Sequence, residues 1–167
     1  MACFTIQHKL RTGWLNAQVG LYFSPFYSFT HTYYLIYSMA QLITRDQNND
    51  EIEGTAWVET IWQRPVQRVF WIYDVPYHTS RGGHHHQSCQ MVLHCIVGSV
   101  EVYVQTSEGD QHFTLDSNRQ YLFLDALDWR LMHRFSTDAI LVVLADKSFK
   151  TTVYIDQSYR LINLNPI

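Results

Sequence analysis

The segment Arg68–Val104, RVFWIYDVPYHTSRGGHHHQSCQMVLHCIVGSVEVYV, constrains the fold more than any other. Short runs rich in β-branched and aromatic residues alternate sides and are punctuated by Pro76, Gly82–Gly83 and Gly98. That is the pattern of short strands joined by tight connections. The segment reads as strand, Gly-containing turn, strand, Gly break, strand. In the run from His84, a period of two predicts His84, His86, Ser88 and Gln90 on one face. His85, Gln87, Cys89 and Met91 then take the other. Two imidazoles on one strand face, just after the Arg81-Gly82-Gly83 turn, form a candidate reaction centre.

The chain from Met39 onward continues in the same manner. MAQLIT, TAWVETIW, RVFWIYDV, VEVYV, QHFTLD, YLFL, WRLMHRF and AILVVLAD all read as strands, separated by polar turns such as RDQNNDEIEG, TSEGD and SNRQ. The tail YIDQSYRLI reads as a short closing helix or strand packed outside. Many short strands with regular turn signals and little helical periodicity predict an all-β sandwich or small barrel, formed by one domain over 39–167.

Residues 1–38 stand apart. Between Thr12 and Thr44 there is no Asp, Glu, Lys or Arg, and Lys9 and Arg11 precede that stretch. This resembles a leader or anchor in outline, but VGLYFSPFYSFTHTYYLIYS is aromatic and interrupted by Ser, Thr, His31 and Pro25. The expectation is an aromatic N-terminal extension without membrane insertion, either poorly structured or preceding a true start at Met39.

Composition excludes several classes. A hydrophobic fraction of 47% with 16% charged residues is that of a chain with a real core. A net charge of −3 offers no basic face for nucleic acid. An anionic ligand must therefore be met by local arginines such as Arg64, Arg68, Arg81, Arg119, Arg130 and Arg134. Three cysteines (Cys3, Cys89 and Cys95) are an odd number without zinc-type spacing, and on one strand Cys89 and Cys95 are too far apart to bridge. A reducing cytoplasm is expected.

His84-X-His86, three residues, Gln90, seven residues and Gly98 resemble the first sequence motif of the cupins. Metal-binding cupins carry a Glu where Gln90 stands and add a later His. Here the later segment, LFLDALDWRLMH, places Arg130 near that position. Two imidazoles and a neutral amide are a poor donor set for a transition metal, and a guanidinium beside them repels a cation. No metal is expected.

Within the cupins, RVFWIYDVP, RGGHHH, the Gly98-Ser99-Val100 break, FTLDS, Trp129 and FSTDAILVVLA together resemble the dTDP-4-keto-6-deoxyglucose 3,4-ketoisomerases. The order and spacing of several phrases agree over about Gln41 to Ile162. The resemblance implies a cupin jelly-roll β-barrel, homodimeric and without metal or cofactor, acting on a dTDP-linked keto sugar. It maps the paired catalytic histidines onto His84 and His86. Several positions depart from the family pattern. Glu53 stands for an arginine, Gln87 for a lysine, Arg130 for the His of a Trp-His pair and Asp125-Ala126 for a Pro-Pro pair. The closing phrase is reduced to Phe149, Tyr154 and Ile155.

The chemistry suits these residues. A proton alpha to a ketone needs a base titrating near neutrality and donors for the developing enediolate. Imidazole titrates near pH 6.5 and both takes and returns a proton. Arg81 and Tyr73 are candidates for polarising the carbonyl or holding the diphosphate, with Gln90 and Arg130 as further substrate-binding candidates. Two alternatives use the same residues: a non-catalytic sugar-nucleotide-binding cupin, and a related cupin 3,5-epimerase.

Overall fold

The computed structural model describes residues 8–10, 13–15, 40–46, 55–162 and 164. Cys3, Glu53 with its phrase, and most of the N-terminal extension, including its expected boundary at residue 38, lie outside them. The chain divides into two compact units, Met1–Tyr34 and Leu35–Ile167. In the first, β1 (His8–Leu10) pairs antiparallel with β2 (Gly13–Leu15).

The second unit holds two five-stranded antiparallel sheets. Its elements in chain order are β3 (Gln41–Thr44), α1 (Thr55–Trp62), β4 (Arg68–Tyr73), β5 (Arg81–His86), β6 (Met91–Val97) and β7 (Val100–Gln105). They continue with β8 (Asp110–Leu115), β9 (Gln120–Leu124), β10 (Trp129–His133), β11 (Ile140–Ala145) and β12 (Tyr154–Ile155). One sheet runs β12-β5-β10-β7-β8 and the other β3-β9-β6-β11-β4. Sequence neighbours often lie in opposite sheets, which is the jelly-roll form of an all-β double layer.

Period-two alternation builds the core between the layers. Val100, Val102 and Val104 of β7 turn inward against Leu93, Leu122, Leu141 and Val143 of the facing sheet, all essentially inaccessible to water. Burying a side chain of this size contributes roughly 1.5–3 kcal/mol, so the interlayer core is the main source of stability.

Two expectations are corrected. TAWVETIW is an α-helix, not a strand. Trp57, Val58, Ile61 and Trp62 recur at three- and four-residue spacing, which aligns them on one helical stripe. Trp57 and Val58 are buried against Val92, Tyr121 and Leu144, so α1 covers the outer surface of the second sheet.

The second correction concerns the histidine run. Strand β5 begins at Arg81, so Arg81-Gly82-Gly83 lies inside the strand and is not a turn leading into it. Gly82 and Gly83 have φ of 92° and 76°, and the register with β10 slips between Arg130 and Leu131. Positive φ favours glycine, and a bulge re-aims the residues after it. The strand then ends at His86, and Gln87–Gln90 turns into β6. Cys89 and Cys95 therefore do not share one strand, although both are free and buried.

Candidate active site

A cavity of ≈ 200 Å³ opens between the sheets. Its walls come from β4 (Arg68, Phe70, Ile72), β5 (Arg81, Gly82, His84, His86), β10 (Arg130, Met132) and β12 (Tyr154), with Met91, Leu93 and Val143 behind. Among the described residues three guanidinium groups and two imidazoles line it, and no carboxylate does.

His84 and His86 share the inward face, as period two predicts, with ring centroids 5.2 Å apart. His85 points outward and stacks on Tyr159, at 5.3 Å and 14°. The tautomer of each inward ring follows from its partner, because a carbonyl only accepts. Nδ1–H of His84 donates to the Gly82 carbonyl at 3.1 Å, and Nδ1–H of His86 donates to the Cys89 carbonyl at 3.2 Å. That leaves both Nε2 lone pairs as acceptors. Nη2 of Arg130 lies against both nitrogens of the His86 ring, 2.7 Å from Nε2 and 3.0 Å from Nδ1. With Nδ1–H given to the Cys89 carbonyl, it is Nε2 that accepts; Nε2 of His84 meets no donor among the described residues.

Arg130 reverses a common expectation for arginine. It is only 3% exposed, and so is not a solvated surface cation. Nη2 also meets Met91 Sδ at 3.1 Å. Burial lowers the guanidinium to about 10, still cationic at neutral pH. Burial first, and this nearby cation second, push His84 down to about 4 and His86 to about 3. Both imidazoles are therefore neutral across the physiological range.

The other sequence candidates divide. Arg81 lines the cavity and is exposed, and its Nη1 donates to the Ser80 carbonyl at 3.0 Å. Tyr73 does not reach the cavity. It ends β4 on the outward row with Val69 and Trp71 and is 62% exposed, because Phe70 and Ile72 are the inward members of that strand. Gln90 is also outside the cavity, correcting the expectation that it shares the face of His84 and His86. Its Oε1 accepts from Trp62 Nε1 at 3.1 Å, its Nε2 donates to Asp125 Oδ1 at 3.1 Å, and its backbone N–H donates to Asp146 Oδ1 at 2.9 Å. Gln90 is a structural knot tying α1 to the loops beside His86.

Two polar lining residues, Arg68 and Tyr154, are not among the catalytic or substrate-binding candidates of the sequence. The Arg68 guanidinium lies 5.1 Å from the ring centre of Phe70 and 5.8 Å from that of Phe149, and its buried Nε and Nη2 have no hydrogen-bond partner. Tyr154 accepts from Arg68 Nη1 at 3.4 Å. In the sequence Arg68 is one of several arginines able to meet an anion, and Tyr154 carries no signal beyond its place in the closing phrase.

Metal-binding cupins invite a test of fit. Arg130 occupies the accepting nitrogen of His86, and the lining offers no carboxylate among the described residues. Among the described residues no group of three or more His, Cys, Asp or Glu is placed to hold a metal ion. The residues present do not fit a resident metal.

Comparison with known proteins agrees with this architecture. Residues 37–165 match the family described as FdtA: WxcM-like, C-terminal. The TDP-4-oxo-6-deoxy-alpha-D-glucose-3,4-oxoisomerase of Aneurinibacillus thermoaerophilus is 36% identical over 92 residues, which is 55% of this chain and 66% of that protein. The chain thus spans just under two thirds of that relative's length. QdtA, a sugar 3,4-ketoisomerase from Thermoanaerobacterium thermosaccharolyticum solved with TDP, superposes with a TM-score of 0.62 at 27% identity, covering 74% of this chain and 90% of QdtA. A His-to-Asn variant of QdtA, solved with TDP-4-keto-6-deoxyglucose, gives a TM-score of 0.62 at 26% identity, with the same coverage of 74% and 90%. A 3,4-ketoisomerase from Helicobacter canadensis gives 0.61 at 27%, covering 71% of this chain and 90% of that one. With the family matched over most of its length and the fold shared, this chain belongs to the FdtA family of WxcM-like C-terminal domains.

Proposed function

We propose that this chain is a sugar-nucleotide 3,4-ketoisomerase that converts TDP-4-keto-6-deoxyglucose to a 3-keto-6-deoxyhexose in deoxysugar biosynthesis. The observation that carries the reading is the open Nε2 of a neutral His84 on the wall of a cavity bearing arginines and no carboxylate. The names of the relatives supply the substrate class.

Moving a ketone from C4 to C3 begins with loss of the C3 proton, which is alpha to the carbonyl. His84 Nε2 is the base. Burial, and the Arg130 cation after it, hold its pKa at about 4, so it stands unprotonated at neutral pH. It is a weaker base than a near-neutral imidazole, and stabilisation of the charge at O4 has to make up the difference. As the proton leaves, negative charge builds on O4. Arg130 stabilises it from a dry position, where attraction between opposite charges is worth more than in water. His86 fixes the guanidinium by accepting from Nη2. The imidazolium of His84 then returns its proton to the neighbouring carbon C4.

A cavity of ≈ 200 Å³ is smaller than the roughly 300–1,000 Å³ that encloses a drug-sized ligand, so it suits the sugar alone. The diphosphate lies toward Arg68 and the exposed Arg81. The Nε–H and Nη2–H of Arg68 are buried without a hydrogen-bond partner among the described residues, and a side-chain shift that brings them to phosphate oxygens would satisfy them.

Two finer points belong to the same reading. Free buried thiols at Cys89 and Cys95 support a reducing cytoplasm, and the outward Val69, Trp71 and Tyr73 on edge strand β4 support a homodimer. No helix among the described residues is long and apolar enough to cross a membrane. Proton NMR of TDP-4-keto-6-deoxyglucose incubated with the protein tests the activity. A 3-keto product supports it, while an unchanged or C5-inverted sugar counts against it. Gel filtration tests the dimer.

A further inference from the structure

Tyr154 completes a triangle with the two inward histidines. Its ring centroid lies 4.9 Å from that of His84 and 4.8 Å from that of His86, and the two imidazoles are 5.2 Å apart. Three rings able to exchange protons thus face one small cavity from nearly equal separations. The phenol oxygen accepts from Arg68 Nη1 at 3.4 Å, so its own O–H remains free to donate elsewhere.

The residue is held in place from both sides. Tyr154 pairs with His86 across the β12–β5 ladder, and Gln87 N–H donates to the Val153 carbonyl at 3.1 Å. Beyond β12, the chain is strapped to the outer face of the same sheet. Trp129 Nε1–H donates to the Asp156 carbonyl at 3.1 Å, and Tyr159 O–H to the Leu127 carbonyl at 2.8 Å. The fully buried Gln105 amide accepts Arg160 N–H at 3.1 Å and donates to the Arg160 carbonyl at 3.1 Å.

The isomerisation poses a problem that the histidines alone do not solve. Besides moving hydrogen from C3 to C4, it must move a hydrogen from O3 to O4. We infer that Tyr154 is a further catalytic residue of this site, relaying that proton between the two sugar oxygens; the inference rests on the isomerase reading above. The steps balance. His84 takes the C3 proton, the C3–H pair becomes the C3=C4 bond, and the carbonyl π pair moves to O4. O4 takes the phenol proton, leaving a neutral enediol and a tyrosinate beside Arg68. The tyrosinate then takes the proton of the O3 hydroxyl. The O3–H pair forms the C3=O bond, and the C3=C4 pair takes the proton from imidazolium His84 at C4. Tyr154 and His84 both end as they began, and no oxidant or cofactor enters.

Tyr154→Phe is the test, because it keeps the ring against both imidazoles and removes only the hydroxyl. Two rates are read in deuterium oxide by NMR with TDP-4-keto-6-deoxyglucose: exchange of the C3 hydrogen, and formation of the 3-keto sugar. Exchange needs only His84 and charge stabilisation at O4, whereas product formation also needs the oxygen-side transfer. The expected result is exchange within about threefold of wild type and isomerisation down roughly 100-fold, with TDP affinity unchanged. Isomerisation within threefold of wild type overturns the inference, and so does an equal fall in both rates. A wild-type protein that neither exchanges nor isomerises overturns the parent reading, and the inference with it. A normal wild type with an unaffected variant removes the role of Tyr154 alone.

Discussion

Nη2 of Arg130 lies 2.7 Å from Nε2 of His86, so a buried cation donates to a neutral imidazole inside the cavity. The contact adds to what keeps these histidines unprotonated at neutral pH. Burial contributes most, and the guanidinium adds to it for both His84 and His86.

The first prediction concerns pH. With His84 held at about 4, the acid limb of kcat/KM falls well below pH 6.5. Arg130→Gln removes the second cause of the depression, so the acid limb moves upward toward pH 6.5. The variant also loses roughly 10²–10³-fold in kcat, the usual effect of deleting one oxyanion donor. Stability follows the same sign. These histidines bind more protons unfolded than folded, so stability is present above about pH 6.5 and is lost as pH falls from there toward 4. A pH–rate profile and thermal melts at pH 5 and 7.5 check both.

The second concerns Gly82. A Cβ there would sit 2.7 Å from the Arg130 carbonyl oxygen and 2.9 Å from Met132 Cε, on a backbone with φ of +92°. Arg130 must shift to admit it. Gly82→Ala is expected to cost roughly 1–3 kcal/mol of stability and to lower kcat more than it raises KM. Calorimetry and steady-state kinetics check it. An unaltered melting temperature with wild-type kcat would mean that the bulge does not set the Arg130–His86 contact.

The third concerns the N-terminal extension, which we propose is dispensable to the domain that follows it. A chain starting at Met39 is expected to stay soluble and keep its melting temperature within a few degrees. A large loss would mean that the aromatic segment packs on the domain, where each buried aromatic contributes roughly 2 kcal/mol.

Much of this site was legible from alternation alone, and the failures have physical reasons. His84 and His86 share a face because period two is a property of any extended strand. Period two does not say which face is inside, so Tyr73 was put forward while its neighbours Phe70 and Ile72 turned inward. The break after His86 was hidden because Gln87–Gln90 has no Gly or Pro, although that is where Gln90 leaves the cavity face. The stripe of α1 is so short that Trp57, Val58, Ile61 and Trp62 fit a strand by composition. Arg130 occupies an inward position of β10, but arginine is rarely buried, so its type spoke against its place. Tyr154 reaches the site only through β12 pairing with β5, a long-range contact that no local pattern announces.

The most direct measurement of the central claim is turnover of TDP-4-keto-6-deoxyglucose by wild type, His84→Asn and His85→Asn, with TDP affinity recorded for each. If His84 is the base on carbon, His84→Asn loses roughly 10²–10⁴-fold in kcat while TDP binds as before. His85→Asn, whose ring lies on the outer face against Tyr159, keeps nearly the full rate. A His84→Asn protein that turns over at the wild-type rate, or an equal loss at His84 and His85, would contradict the account.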